Sequence, residues 1–284
     1  MNIFQKKPKW IKVKLPINKN YHKLQNLVSL HKLNTICQSG SCPNIGECWD
    51  KGVATFMILG NICTRSCRFC GVKTGKPKKV DWEEPKKVAK SIQILNVRHA
   101  VLTSVNRDDL IDLGSSIWVK TIQKVRYLNP KITIEALIPD FKGEEKIIDK
   151  IINVQPEVIS HNIETISRLT KKIRIQAKYD RSLKVLQYIK EKNKNIRTKT
   201  GIMLGLGETK SEIIQTMKDI RKSKVDILTI GQYLQPSLKH YSVRFFVIPE
   251  EFKELKDIGL KMGFKYVESG PLVRSSYHAE KHVK

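Results

Sequence analysis

With 284 residues, 40% of them hydrophobic, the chain can bury the core of one large domain or two ordinary ones, and no apolar run approaches the ~18–20 residues of a membrane helix. Lys and Arg number 53 against 27 Asp and Glu, a net charge of +26, which invites a nucleic-acid reading. The lysines are spread along the whole chain, aromatic residues are only 7%, and no run interleaves basic residues with stacking rings, so nucleic-acid binding is not expected and the charge either meets an acidic protein partner or is simply solvated.

The first fifty residues read as a Lys-rich extension, broken at Pro8 and Pro16, with a helix-like stretch over about 21–33. The opening residues are basic but hold no apolar core of a secretory signal. The stretch to Gly46 lacks Asp and Glu, as transit peptides do, but it lacks arginine as well, and a transit segment is not the favoured reading. Residues 53–59 form a continuous apolar run between Gly52 and Gly60, the pattern of a strand buried on both faces. Similar strands are predicted at 99–105, 131–137, 157–163, 198–204 and 225–230. Helical patterns separate them: 85–95, with Pro85 in its first turn, then 115–128, 143–152, 179–191 and 210–222. Strand and helix in alternation predict an α/β fold with a parallel sheet.

The conspicuous polar motifs, 61–70, 106–109, 162–164 and 205–208, all follow strands. That placement favours a partial (β/α)6 parallel barrel, whose site lies at the C-terminal strand ends, over an open sheet with one switch point. The chain is therefore expected to comprise an N-terminal extension (1–52), the partial barrel (53–248) and a C-terminal extension (249–284). The last adds a helix, a strand at 264–268 and the tail 270–278.

All six cysteines fall between positions 37 and 70. Cys37, Cys42 and Cys48 are spaced C-x4-C-x5-C, and Cys63, Cys67 and Cys70 are spaced C-x3-C-x2-C. Disulfides belong to small secreted domains, so metal ligation in a reducing compartment, the cytoplasm, is the expectation. Each triplet is one thiolate short of the four that an Fe–S cluster or a tetrahedral zinc usually takes. A zinc site would want a fourth Cys or His nearby, and none lies between Gly71 and Arg98.

The sequence Cys63-Thr-Arg-Ser-Cys67-Arg-Phe-Cys70, at the end of a first apolar strand, resembles the radical S-adenosylmethionine superfamily. That resemblance implies a 4Fe-4S cluster whose open iron chelates S-adenosylmethionine and cleaves it to a hydrogen-abstracting radical, with Phe69 packed near the adenine. Arg65, Arg68 and Lys73 either raise the potential of that cluster or are merely solvated. The segment from Thr35 to Cys48 is similar to the auxiliary-cluster segment of lipoyl synthases. So are residues 9–15, 54–60, 102–105 with 107–109, 161–165, 203–208, 228–236 and 273–279, so the likeness runs almost end to end.

This resemblance implies radical insertion of two sulfur atoms at C6 and C8 of a protein-bound octanoyl-lysine. A second 4Fe-4S cluster, held by Cys37, Cys42, Cys48 and Ser276, would be the sulfur donor. Read alone, Ser276 is a helix cap or surface hydroxyl; the resemblance makes it the fourth ligand, a hard donor that releases its iron readily. Asn162, Glu164 and Met203 are candidate S-adenosylmethionine contacts, with the 203–208 turn offering backbone groups to the adenine. Arg274 is placed to gate the auxiliary iron or to bond the partner's backbone. Arg107, Asp108 and Asp109 are equally an ion-paired loop or a binding element. The implied partners are an octanoylated lipoyl carrier domain, an electron donor such as a ferredoxin or flavodoxin, and an iron–sulfur carrier for cluster repair, with neither nucleic acid nor membrane. The rivals are a methylthiotransferase acting on tRNA, which usually carries an added RNA-binding domain; a biotin-synthase-like enzyme, whose second cluster is ligated from barrel strands; and a zinc-stabilised nucleic-acid-binding protein.

Overall fold

The computed structural model describes residues 6–13, 19–50 and 54–283; Pro16 and Val53, read above as a breaker and a strand start, lie outside these, as does the end of the 9–15 block. The chain divides into two compact units. One consists of Val13–Arg65, Val72–Val158 and Ala279–Lys284, the other of Met1–Lys12, Ser66–Gly71 and Ile159–His278. Among the described residues, no helix is long and apolar enough to cross a membrane.

The first unit begins with α1 (Lys19–Leu30), β1 (Asn34–Thr35), α2 (Ile36–Ser39) and α3 (Ile45–Asp50), and continues with β2 (Thr55–Ile58), β3 (Ile62–Cys63) and β4 (Lys73–Thr74). Then come α4 (Glu84–Ile94), β5 (His99–Ser104), α5 (Ser115–Leu128), β6 (Thr133–Leu137) and α6 (Glu145–Asn153). Strand β2 pairs antiparallel with β1 and parallel with β5, and β5 pairs parallel with β6. All four residues of β2 are buried, which explains its continuous apolar run. Helices α4 and α5 bury Val88, Ile92, Ile117, Trp118, Ile122 and Val125, one stripe each at helical spacing. The Trp118 indole donates to Ser104 Oγ at 3.2 Å, fixing helix to strand.

Strand β7 (Val158–Ser160) stands where the chain passes into the second unit. There follow α7 (Ser167–Ile173), α8 (Tyr179–Lys192), β8 (Arg197–Leu204), α9 (Lys210–Lys222), β9 (Ile227–Gln232), α10 (Pro249–Lys261) and β10 (Tyr266–Gly270). Strands β8, β9 and β10 are parallel neighbours in that order. One core joins Ile202, Leu204, Leu228 and Ile230 of the strands to Leu186, Met217, Phe252 and Leu255 of the helices. Helix α9 starts at a capping box, with Thr209 accepting from the Glu212 amide and Glu212 from the Thr209 amide, an arrangement that satisfies two otherwise orphaned donors.

The predicted strand at 157–163 is shorter in the structure. Beyond Ser160 the ladder breaks, because Glu164 adopts φ +67° and Thr165 N–H bonds back to Ile163 O. His161 N–H still reaches Lys199 O at 3.0 Å, and an isolated bridge from Glu164 to Ile202 continues the pairing. Asn162 and Glu164 therefore project from an irregular segment rather than from a regular strand end.

Candidate functional site

The loop of the second cysteine triplet starts from a sharp exit after β2. Leu59 and Gly60 both take left-handed backbone conformations, φ +67° and +88°. Their amides are caught by the Glu84 carboxylate at the start of α4, at 2.7 and 3.4 Å. Burial raises the Glu84 carboxyl above its ordinary range, with these two donors pulling the other way. The chain then forms β3, which pairs with β4, and Gly75 N–H closes on Cys63 O at 3.0 Å.

The Cys63 sulfur accepts two backbone N–H groups, from Arg65 at 3.4 Å and Asn106 at 3.3 Å. Hydrogen bonds to a ligating sulfur are among the features that tune an Fe–S cluster. Arg65 itself is turned inward: Nε and Nη2 reach the two Asp108 oxygens at 2.6 and 2.8 Å, and Nη2 reaches Asp140 at 2.8 Å. Burial opposes the guanidinium charge, but the two carboxylates outweigh it and raise its pKa. The carboxyl of Asp108 would likewise be raised by burial, and Arg65 holds it below its usual value. The Arg65 charge is thus already matched, whereas Arg68 and Lys73 are exposed. Arg107 pairs bidentately with Asp109, both bonds 2.9 Å, so this motif is an ion-paired loop.

In the second unit, Arg68 N–H donates to Ile173 O and Arg68 O accepts from Tyr241 N–H, both at 2.8 Å. Cys70 N–H bonds Cys67 O at 3.1 Å, and the Cys70 carbonyl lies 3.0 Å from His240 Nε2. Helix α7 and the 240–241 turn thereby hold this part of the loop by its main chain, with both thiols left partly accessible. Phe69 packs in one cluster with Met203, Leu206, Tyr233 and Tyr241.

The first triplet is built on two short helices. Thr35 caps α2, accepting from Gln38 N–H at 3.3 Å, and presents Cys37 in the buried interior. Cys42 N–H donates to Cys37 O at 3.0 Å, and Cys48 N–H on α3 donates to Asn44 O at 2.8 Å. Burial first, then the nearby Cys42, pushes the Cys37 thiol up to about 11, against donors from the Thr55 backbone and the Trp49 side chain. Trp49 is fully buried against the Tyr21 ring, 5.3 Å between centroids. Its indole N–H finds no other acceptor. A buried donor facing a buried sulfur is satisfied once that sulfur carries charge, as a cluster ligand does.

Ser276 belongs to the second unit and sits half-buried in a turn closed by Tyr277 N–H to Arg274 O at 2.9 Å. The amide of Asn162 donates to Glu164 Oε1 at 3.0 Å and to Ser275 Oγ at 2.7 Å, and its Oδ1 is buried without a partner. Burial raises the Glu164 carboxyl, opposed by Arg174, Asn162 and Arg274. Met203 N–H donates to Glu164 O at 2.8 Å, so the three predicted contacts Asn162, Glu164 and Met203 do come together. Ser275, missed from the sequence, joins them. The following turn differs from expectation: the amides of Gly205 and Leu206 are both spent on the Glu208 carboxylate rather than presented outward.

Among the described residues, no three His, Cys, Asp or Glu side chains converge tightly enough to hold a single metal ion. The donor sets nevertheless suit clusters: all six cysteines are free thiols, and the Cys37 and Cys63 sulfurs both face N–H donors.

Residues 57–220 match the family model of the radical SAM superfamily. The lipoyl synthase of Flavobacterium psychrophilum is 64% identical over 98% of this chain and 95% of its own length. The chain belongs to the lipoyl synthase family. The mitochondrial lipoyl synthase of Nematostella vectensis, at 60% identity, covers 99% of this chain and 98% of its own. Among solved structures, methylornithine synthase aligns with a TM-score of 0.56 at 15% identity, over 89% of this chain and 83% of its own. That likeness concerns the fold alone, and the fold class is the partial parallel α/β barrel of radical SAM enzymes. Membership of the superfamily brings a 4Fe-4S cluster and S-adenosylmethionine, and membership of the lipoyl synthase family an octanoylated protein substrate and a reductant.

Proposed function

We propose that this chain inserts two sulfur atoms, at C6 and C8, into an octanoyl-lysine of a lipoyl carrier domain in the cytoplasm. The observation that carries the reading is the contrast between the two cysteine triplets. Cys63, Cys67 and Cys70 lie half-buried on one short loop held by its main chain, whereas Cys37 of the first triplet is buried with the Trp49 indole facing it.

When bound by Cys63, Cys67 and Cys70, a 4Fe-4S cluster supplies with S-adenosylmethionine the one-electron chemistry that removes hydrogen from an unactivated C–H bond. The second cluster is the sulfur substrate, offered by Cys37, Cys42, Cys48 and Ser276. A serine oxygen is a hard donor beside soft thiolates, which suits an iron that must be released. Asn162 and Glu164 are the groups to bond S-adenosylmethionine, with the unpartnered Asn162 Oδ1 ready to accept from a ribose hydroxyl. Phe69 and Met203, packed against one apolar cluster, offer the adenine of S-adenosylmethionine an apolar wall.

The partners are the octanoylated carrier, a ferredoxin or flavodoxin as reductant and an iron–sulfur carrier that rebuilds the spent cluster. The net charge of +26 speeds encounter with an acidic carrier. Binding of the carrier that does not weaken with ionic strength would remove that last element. The decisive variant is Ser276→Ala: S-adenosylmethionine cleavage persists while thiolated product disappears. Full product formation by that variant refutes the role of Ser276. Cys67→Ala should abolish cleavage itself.

A further inference from the structure

Strands β8 and β9 place Gly201 opposite Thr229 and Met203 opposite Gly231. Side chains alternate along a strand, so these four residues share one face. The opposite face, carrying Ile202, Leu204, Leu228 and Ile230, is the one that meets the helices. Neither glycine has a positive φ, so the backbone does not demand glycine at either position. A glycine inside a strand weakens it and often marks the close approach of another backbone.

That backbone is the C-terminal tail. A Cβ added at Gly231 would collide with the Val273 carbonyl and stand 3.2 Å from Arg274 Nη1. At Gly201 a Cβ would lie 2.6 Å from Thr229 Oγ1, 3.2 Å from Asn162 Oδ1 and 3.5 Å from Ser275 Oγ. After β10 the chain thus turns, with Val273 N–H on Gly270 O at 3.0 Å, and crosses from above β9 to above β8 over a glycine floor. Two hydrogen bonds fasten the crossing: Gln232 N–H to Pro271 O at 3.3 Å, and Asn162 Nδ2 to Ser275 Oγ at 2.7 Å. The second fixes the residue immediately before Ser276.

We propose that Gly201, Gly231 and Asn162 form a seat for residues 273–275, and that Ser275 is a positioning residue that sets the reach of the Ser276 oxygen. The two adjacent serines then have different duties, the first tethering the tail to the sheet and the second ligating iron. The proposal deepens the reading of Ser276 as ligand and rests on it.

The test uses the full chain with both clusters reconstituted anaerobically, as wild type and as Ser275→Ala, Ser275→Thr, Gly231→Ala and Ser276→Ala. Two properties are read: the Mössbauer signature of oxygen-ligated iron in the second cluster, and the rate of tryptic cleavage after Arg274, followed by mass. Far-UV circular dichroism and the urea-unfolding midpoint report that each variant is folded. Ser275→Ala and Gly231→Ala should both lose most of the oxygen-ligated signature. Ser275→Ala should also be cut after Arg274 about fivefold faster, the factor that one lost hydrogen bond brings, and Gly231→Ala faster than wild type because its Cβ displaces the Val273 carbonyl. Ser275→Thr, which keeps the hydroxyl, should restore both. Should Gly231→Ala fail to fold, the Ser275 pair decides alone. A Ser275→Ala protein with an unchanged iron signature and an unchanged cleavage rate overturns the proposal. If Ser276→Ala itself leaves the signature unaltered, the ligand reading fails, and tryptic cleavage still decides whether the seat exists.

Discussion

Removing the Arg65 guanidinium should be among the most damaging single changes outside the cysteines. Arg65 is 6% exposed, and its side chain holds Asp108 bidentately and Asp140, which is 1% exposed, at 2.8 Å. In Arg65→Met the Asp140 carboxylate stays buried, keeps the Lys142 N–H at 3.1 Å and loses the guanidinium, and breaking a buried ion pair by removing one partner costs about 3–5 kcal/mol. For a chain of this size each kcal/mol moves the melting midpoint by roughly 2–4 °C, so a fall on the order of 10 °C is expected. Arg65→Lys should lie between, since an ammonium cannot reproduce the fork that grips Asp108. The measurement is thermal and urea unfolding of the reduced, cluster-free chain, where bound iron does not complicate the transition. Combining Arg65→Met with Asp108→Asn and Asp140→Asn should recover most of the loss, because replacing a whole buried ion group is often near neutral. A loss under about 1 kcal/mol in the single variant, or a triple variant as unstable as the single one, would refute this account of the loop.

Two further outcomes follow from buried polar groups. Trp49→Phe keeps the ring against Tyr21 but removes the N–H facing Cys37; if Cys37 holds the proposed second cluster, that cluster should then lose iron to a chelator about tenfold more readily, and wild-type retention would contradict it. Burial would raise the Asp226 carboxyl, but Lys190 at 2.8 Å, the Thr198 amide at 3.0 Å and Lys265 at 3.1 Å hold it below its usual value. A lowered folded pKa contributes stability above the ordinary carboxylate range that is lost as pH falls through the folded value, so Asp226→Asn should flatten the acid limb of the urea midpoint; identical acid limbs would remove Asp226 from the explanation.

The parts of the fold legible in the sequence are those with long, regular patterns. The helices expected at about 115–128 and about 210–222 coincide with α5 and α9, and β8 begins one residue before the predicted 198. Shorter pieces carried no periodicity to read: α7 has 7 residues, and β3 and β4 have 2 each. The break after Ser160 depends on a left-handed glutamate, a conformation that no local propensity announces.

Within the site, the cysteine spacing is legible because each set of three thiols falls in one short stretch of chain. The Arg65 pairing was not, since its partner Asp108 lies 43 positions away and a lone arginine reads equally well as solvated. Ser275 was passed over because its role depends on Asn162, 113 positions earlier. Gly201 and Gly231 did leave a signal, as glycines inside apolar strand patterns, but the tail that lies on them is visible only in the folded chain.

The central claim meets its most direct test in anaerobic turnover of an octanoyl-lysine peptide by the chain with both clusters loaded, supplied with reductant and S-adenosylmethionine and followed by mass. The account predicts a peptide that gains two sulfur atoms, both drawn from the protein's own cluster when that cluster carries labelled sulfide. S-adenosylmethionine consumed in full with the peptide left unsulfurated, or unlabelled sulfur in the product, would contradict it.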